Sequence, residues 1–287
     1  MVVCMKKKNQ TSKRIWSFGI MLCLALAFGC LIFTSVLGNT PRGSVERTVA
    51  ATPEVSLAPD AMESAEPVDT PEPNPILKIE SPAALAQTEP ASGDYVNGMY
   101  FLGDAALKIL SDETLLAGPE KDQQVWCPES GVMDLNTLSS VTFVSPVTGN
   151  NAPFGDIAVV NRPAVMILLP STDNANLITE TALKAAVKDV VTAIHAESPE
   201  TKIILSSLTP VARSYQYEDI TFEVINRVNQ WIADAAAEND VKYLDAAFEL
   251  AGTDGFLPEN FQNGDGMHLS ADGLKAWFNC ARMHMYP

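Results

Sequence analysis

The stretch Val96–Leu110 is the sequence feature that most constrains the fold of this chain. It is an apolar run that stops at Gly103 and Asp104 and then resumes with helical spacing. The residues before Gly103 have the β-branched and aromatic bias of a buried strand, and those after Asp104 suit the packed face of a helix. The stretch therefore predicts a strand, a turn at Gly103 and a helix. Such a turn lies at the carboxyl edge of a sheet, where open α/β folds bind ligands.

The residue after Gly-Asp in such a turn opens the helix, and its N–H points towards any bound anion. A nucleophile turn would carry serine at this position, but the residue here is Ala105. No serine occurs between Asp94 and Leu110. The sequence therefore predicts a turn of the right shape without a nucleophilic hydroxyl.

From Asp94 onwards, short apolar segments alternate with amphipathic helical segments. The predicted strands are Gln124–Cys127, Val141–Val144, Pro163–Leu169, Lys202–Leu208 and Val241–Leu244. The predicted helices are Met133–Leu138, Asn176–Glu197, one that Asp219 caps and that runs to about Glu238, and one from about Ser270 to Arg282. This alternation predicts right-handed βαβ crossovers and a parallel sheet covered on both faces.

The N-terminal region predicts a single-pass membrane anchor. Residues 15–38 carry no charged side chain, and as a helix they would extend about 36 Å against a hydrocarbon core of about 30 Å. Residues 1–14 form a basic tail without acidic groups, which predicts a cytoplasmic N-terminus and an extracytoplasmic C-terminal domain in the cell membrane. A cleaved signal peptide is the alternative, although its apolar region usually covers only about 7–15 residues.

Residues 39–93 have the composition of a disordered acidic linker. Nine of the 19 prolines fall here among Glu, Asp, Ser, Thr and Ala, and the few apolar residues show no period. The globular domain is therefore expected at residues 94–287. The net charge of −16 disfavours nucleic acid as a partner.

Two polar stretches are expected near the same edge of the sheet as the turn. Leu169–Asn174 follows the clearest predicted strand, and Asp265–Ser270 precedes the last predicted helix. An aspartate three residues before a histidine can orient the imidazole as a general base, which makes Asp265 and His268 candidate catalytic residues. The alternative is an ordinary Asp-Gly turn and a partly buried packing histidine.

The order of four motifs resembles the SGNH (GDSL-type) hydrolases. They are FLGDA at 101–105, LLPSTD at 168–173, ETKIILSSLTPV at 200–211 and DGMHLSADGL at 265–274. The stretch Asn226–Pro287 is similar to membrane-anchored bacterial members in particular. The resemblance covers residues 94–287. It implies a flavodoxin-like three-layer α/β/α fold and an ancestry in ester hydrolysis that uses no metal or cofactor.

The resemblance also implies site residues and shows where this chain departs from the family. Asp265 and His268 fall on the family's acid and base, whereas its nucleophilic serine falls on Ala105. The oxyanion-hole candidates are the Ala105 N–H, Gly131 and Thr172. The family has Gly-x-Asn where this chain has Pro170 and Thr172; a shift of one residue would instead place the anionic Asp173 at the asparagine position.

Loss of a triad nucleophile costs on the order of 10⁶ in turnover. The sequence therefore favours a cell-surface SGNH-fold domain that is catalytically impaired and binds an acyl or carbohydrate ligand or a partner. The competing interpretation is an active serine-type ester hydrolase acting on envelope acyl groups. It would require water activation by His268, a displaced nucleophile at Ser171 or Thr172, or a different register. A purely structural tethered domain is the third possibility.

Two of the cysteines, Cys127 and Cys280, fall in the expected extracytoplasmic domain. A disulfide between them would close a long loop and contribute up to about 5 kcal/mol. Two buried free thiols are the favoured alternative, because a core of this size does not need such a bridge.

Overall fold

The computed structural model describes residues 75–287, which contain one seven-stranded sheet with helices on both faces. The strands are β1 (Met99–Gly103), β2 (Val125–Pro128), β3 (Phe143–Val144), β4 (Asn151–Ala152), β5 (Val165–Leu169), β6 (Lys202–Ser206) and β7 (Lys242–Leu244). Their order is β4-β3-β2-β1-β5-β6-β7. The run β2-β1-β5-β6-β7 is parallel and has the strand order of flavodoxin-like folds, as predicted.

The prediction of a wholly parallel sheet is wrong at one edge. Strand β3 pairs antiparallel with both β2 and β4. The connection between β3 and β4 spans only residues 145–150, and a parallel crossover needs about a dozen residues or more. The short connection therefore requires an antiparallel hairpin of β3 and β4.

Helices cover both faces of the sheet. They are α1 (Gly93–Asn97), α2 (Ile109–Asp112), α3 (Phe154–Asn161), α4 (Glu180–Glu197), α5 (Phe222–Glu238), α6 (Ala246–Leu250) and α7 (Ala271–Arg282). Short 3₁₀ helices occur at Ala105–Lys108, Lys121–Gln123, Leu135–Ser140 and Glu259–Phe261. Alternate residues of β1 enter two separate cores: Tyr100 packs with residues of α4 and α5, and Phe101 packs with residues of α7. This arrangement gives the three predicted layers.

Local side-chain caps shift several predicted helix boundaries. Val96, expected in a strand, lies in α1. The long helix predicted from Asn176 begins at Glu180, because the Thr179 side chain accepts the N–H of Ala182 as its cap. The helix α5 is capped by Thr221 rather than by the predicted Asp219. The helix expected at Met133–Leu138 is instead the 3₁₀ turn Leu135–Ser140. The helix expected after Gly103 begins as a 3₁₀ turn at Ala105.

Part of the predicted linker is packed against the domain. Ile76 and Ile79 are 5% and 6% exposed, and the Ile79 N–H donates to the Asp245 carboxylate at 2.8 Å. Leu85 and Tyr243 are joined by a backbone hydrogen bond of 2.9 Å, so the segment runs alongside β7. The linker prediction is therefore wrong for residues 75–93, because its scattered apolar side chains find a complementary face at the β7 edge. The predictions for residues 1–74, including the anchor, lie outside the described residues.

Within residues 75–287, no helix has the length and apolar character required to cross a membrane. Cys127 and Cys280 are both buried free thiols, so the favoured prediction for them is confirmed. Burial raises the pKa of each thiol to about 12.

Candidate functional site

The candidate site lies where β1 and β5 end beside each other. Gly103 pairs with Leu169 as the last residue of each strand, so the following residues, Asp104 and Ser171–Asp173, emerge at the same carboxyl edge. A Cβ at Gly103 would overlap the carbonyl oxygen of Leu169. Glycine is therefore required for the close approach of the two strand ends, rather than for a turn conformation.

The loop before α7 brings together the two predicted catalytic residues. Nδ1 of His268 lies 2.7 Å from Oδ2 of Asp265. Oδ1 of the same carboxylate accepts the backbone N–H groups of Met267 and His268 at 2.9 and 3.0 Å. The carboxylate is held by its own loop and in turn holds the imidazole, as in the orienting pair of a triad. That Asp265 and His268 take part in catalysis stays a prediction.

Gly266 fixes this loop against a second loop. It has a φ of +81°, and a Cβ there would lie 2.6 Å from the backbone nitrogen of Tyr215. The Gly266 carbonyl also accepts the N–H of Ala212 at 2.7 Å. Only glycine satisfies both the left-handed conformation and the close contact.

The other nitrogen of His268 contacts carboxylates instead of a hydroxyl. Its Nε2 lies 2.9 Å from Oδ2 of Asp173 and 3.6 Å from Oδ2 of Asp104. Oδ2 of Asp173 also accepts the Ser171 hydroxyl at 2.8 Å. In a serine triad this nitrogen accepts the proton of the nucleophile. Here it faces two carboxylates that arise from two different strand ends.

The carboxylates favour the protonated imidazole. Burial alone would lower the pKa of His268, but Asp265, Asp104 and Asp173 outweigh burial and raise it above the ordinary value. Burial raises the pKa of Asp104. Burial would also raise the pKa of Asp265, but the backbone N–H donors and the imidazole lower it instead. An imidazolium that donates from both nitrogens cannot act as a general base.

The predicted oxyanion-hole donors are engaged within the protein. The Ala105 N–H donates to the Gly131 carbonyl at 2.8 Å, and the Gly131 N–H donates to the Pro128 carbonyl at 2.9 Å. Gly131 does lie beside Ala105, since a Cβ built on it would be 3.4 Å from the Ala105 Cβ. In this geometry both N–H groups are bound to carbonyl oxygens and are not presented to a ligand, and the assignment of the two residues to an oxyanion hole stays a prediction.

Thr172 and Ser171, the remaining donor and nucleophile candidates, are buried, each with 3% of its surface exposed. The Thr172 hydroxyl lies 3.2 Å from the Thr209 carbonyl oxygen, and the Ser171 hydroxyl donates to Asp173. Neither hydroxyl is hydrogen-bonded to His268. The geometry therefore opposes Thr172 as an oxyanion donor and both residues as displaced nucleophiles.

Two open depressions meet at His268. One, of about 670 Å³, is lined by Asp104, Ala105, Lys108 and Gln262 among others. The second, of about 280 Å³, is lined by Tyr215, Tyr217, Asp219, Asp173 and Asp265 among others. Sequence reasoning missed the two tyrosines, although they follow β6 in the chain and so belong to a loop at this same edge. The order of the strands was the signal that could have found them.

The sequence of this domain matches one known protein family. Residues 147–276 match the model of the GDSL-like Lipase/Acylhydrolase family. The matched segment begins after Ala105. A search of the curated proteins gives no match for this sequence.

Solved structures with a similar arrangement include a GDSL-like lipase from Bacteroides thetaiotaomicron, with 15% identity, a TM-score of 0.43, and coverage of 69% of this chain and 89% of that one. The periplasmic domain of a lipopolysaccharide acetyltransferase from Salmonella ser. Paratyphi A has 15% identity and a TM-score of 0.43, covering 63% and 81%. A carbohydrate esterase family 3 protein from Talaromyces cellulolyticus has 11% identity and a TM-score of 0.38, covering 64% and 92%.

Proposed function

The chain belongs to the SGNH (GDSL-type) hydrolase family, and from that premise we propose that its domain binds a glycan without serine-dependent hydrolysis. One observation carries the proposal: a methyl group stands at the nucleophile position, Ala105, while the Asp173 carboxylate occupies Nε2 of His268. A serine triad needs a hydroxyl and a free basic nitrogen at these two points.

The engaged backbone donors support the same proposal. A triad enzyme that loses its nucleophile keeps a residual acceleration of about 10³–10⁴, which comes from the oxyanion hole and from substrate binding. Because the N–H groups of Ala105 and Gly131 are bound to carbonyl oxygens, we expect little of this residual acceleration here.

The aromatic depression supports a carbohydrate rather than an acyl chain. Tyr217 is 72% exposed and its ring centroid lies 5.6 Å from that of Tyr215. The carboxylates of Asp173, Asp219 and Asp265 line the same depression. Aromatic faces pack against the C–H surfaces of a sugar, and carboxylates accept hydrogen bonds from its hydroxyls. An acyl chain would instead need a mainly apolar tunnel.

An active ester hydrolase is the second candidate, and one observation favours it. The Asp265–His268 hydrogen bond retains the orienting geometry of a triad, and His268 borders the groove beside Ala105. Activity would require a movement of Asp173 away from Nε2, so that the imidazole could activate a water molecule.

Ester hydrolysis by the purified full-length chain separates the two candidates. We expect its rate with a short-chain aryl ester to equal that of a His268→Ala variant. A wild-type rate at least about tenfold above the variant would favour the hydrolase, because general-base catalysis contributes about 10²–10⁴.

Glycan binding is tested separately with a soluble β-1,4-linked N-acetylglucosamine oligomer. Tyr217→Ala should weaken binding by about tenfold, since a well-packed aromatic contact is worth on the order of 1 kcal/mol or more. Phe248→Ala is the matched control, because Phe248 is 42% exposed and lies in α6, outside this depression. Equal binding by both variants would contradict the glycan site.

We also propose that residues 15–38 anchor the domain on the outer side of the cell membrane. The uncharged length of this segment and the basic residues before it support this location. Protease added to intact cells should release a fragment that begins near residue 75, at the start of the packed segment. Cleavage only after lysis would show the opposite orientation.

A further inference from the structure

We propose that Asp104, Asp173 and His268 form a binding site for a divalent cation, for which Zn²⁺ has the most suitable ligand preference. The proposal concerns the same edge of the sheet as the proposed function, but it depends neither on glycan binding nor on the loss of hydrolysis. Asp104 follows β1, Asp173 follows β5, and His268 precedes α7, so three separate segments of the chain supply the ligand atoms.

The separations among the ligand atoms suit a shared metal ion. One oxygen from each carboxylate and Nε2 of His268 all lie within 4.8 Å of one another. The two nitrogen–oxygen separations are 2.9 and 3.6 Å. Ligands that bind Zn²⁺ at about 2.0–2.2 Å with tetrahedral or octahedral angles lie about 3–3.6 Å apart. The two nitrogen–oxygen separations therefore suit a shared ion, and the separation between the two carboxylate oxygens is at most 4.8 Å.

Asp265 supplies the outer contact that a metal-binding histidine usually has. It holds Nδ1 at 2.7 Å, and its second oxygen is bound to two backbone N–H groups. This fixes the ring so that Nε2 points at Asp104 and Asp173. A carboxylate that accepts the other N–H of a ligating histidine sets its tautomer and strengthens it as a ligand.

The negative charge of the site also favours a bound cation. Three carboxylates surround one imidazole, so the group stays negative even when His268 is protonated. Within residues 75–287, each Lys or Arg that forms an ion pair does so with a carboxylate outside this group. A structural histidine needs one carboxylate partner, and this histidine has three. A divalent ion would compensate the remaining charge.

Ala105 leaves room for the remaining ligands of the ion. The groove of about 670 Å³ beside it is bordered by Asp104 and His268, so water can reach the metal position. An imidazole in the ligand set favours Zn²⁺ over Mg²⁺, which prefers oxygen ligands alone.

The test is calorimetric titration of ZnCl₂ into the full-length chain after dialysis against a chelator. We expect one saturable site per chain, with MgCl₂ binding at least about tenfold more weakly. Asp173→Asn and His268→Gln should each lower Zn²⁺ affinity by about tenfold or more. Asp219→Asn is the matched control: Asp219 lines the neighbouring depression but is outside the ligand set, so its affinity should be unchanged.

Thermal unfolding provides the second measurement and verifies that the variants fold. Zn²⁺ should raise the unfolding temperature of the wild type and of Asp219→Asn, and should leave that of the two ligand variants unchanged. Absence of saturable binding, or wild-type affinity in both ligand variants, would overturn the proposal. Zn²⁺-dependent ester hydrolysis would leave the metal site intact and overturn only the non-catalytic function.

Discussion

Nε2 of His268 and Oδ2 of Asp173 lie 2.9 Å apart, although the two residues are 95 positions apart in the sequence. A carboxylate, which accepts hydrogen bonds, therefore lies beside Nε2, where a serine triad has the hydroxyl that donates to this nitrogen. It therefore affects both the protonation of the imidazole and the chemistry that the site can carry out.

Ala105→Ser tests whether the remaining dyad can activate a nucleophile. The wild type should not react with a fluorophosphonate probe, and Ala105→Ser should react slowly, because Asp173 still competes for Nε2. Adding Asp173→Ala should increase the labelling rate by about tenfold or more, since it frees the general base.

The labelling should be measured with a chelator present and compared with Ala105→Ser combined with His268→Ala, which should not react. Strong labelling of the wild type that disappears in Ser171→Ala would reveal a displaced nucleophile and contradict the proposed function.

The stability of the metal-free protein should depend on the protonation of His268. Its folded-state pKa is raised above 6.5, so the protonated form favours folding. This contribution is fully present below the unfolded-state pKa and is lost as the pH rises through the folded-state pKa. Urea unfolding with a chelator should therefore give a lower free energy of unfolding at about pH 8.5 than at about pH 6.

A His268→Gln variant serves as the control for that experiment. Its free energy of unfolding should change less over the same pH range, because glutamine does not titrate. An identical pH dependence in both proteins would assign the effect to other groups.

The two buried thiols should be inert in the folded protein. A pKa of about 12 leaves almost no thiolate at neutral pH, and both sulfur atoms are shielded from reagent. Maleimide should therefore leave Cys127 and Cys280 unmodified in the native chain and modify both in urea without any reductant. A requirement for reductant would reveal a disulfide.

The segment before α1 should contribute to stability as a part of the domain. Ile79 is 6% exposed, and Ile79→Ala should lower the free energy of unfolding by about 2–4 kcal/mol. Leu77→Ala is the control, because Leu77 is 55% exposed and should change stability by less than about 0.5 kcal/mol. Equal effects in urea unfolding would mean that the segment does not pack as described.

Gly103 should tolerate no side chain. Gly103→Ala places a methyl group on the Leu169 carbonyl oxygen and should cost about 1–3 kcal/mol or more through displacement of a strand end. Gly93→Ala has nothing within 4 Å of the added Cβ and should be nearly neutral. Thermal unfolding of the two variants measures the difference, and a neutral Gly103→Ala would show that the strand ends adjust.

The sequence by itself determined the parts of this protein that depend on local pattern. Runs of apolar residues predicted the parallel strands, helical spacing predicted α4, α5 and α7, and the absence of serine at Ala105 was visible directly. The contact between Asp265 and His268 was also predictable, because the two residues are three positions apart in one loop and the aspartate binds the loop backbone.

Only the tertiary structure decided which groups contact Nε2 of His268. Asp104 and Asp173 reach it only because β1 and β5 pair in a register that aligns Gly103 with Leu169. The same holds for residues 75–93, whose composition indicates disorder but whose apolar side chains fill the β7 edge. Hydrophobic periodicity specifies how each segment folds, whereas contacts between side chains that are distant in the sequence form only when the strands pair and the helices pack on them.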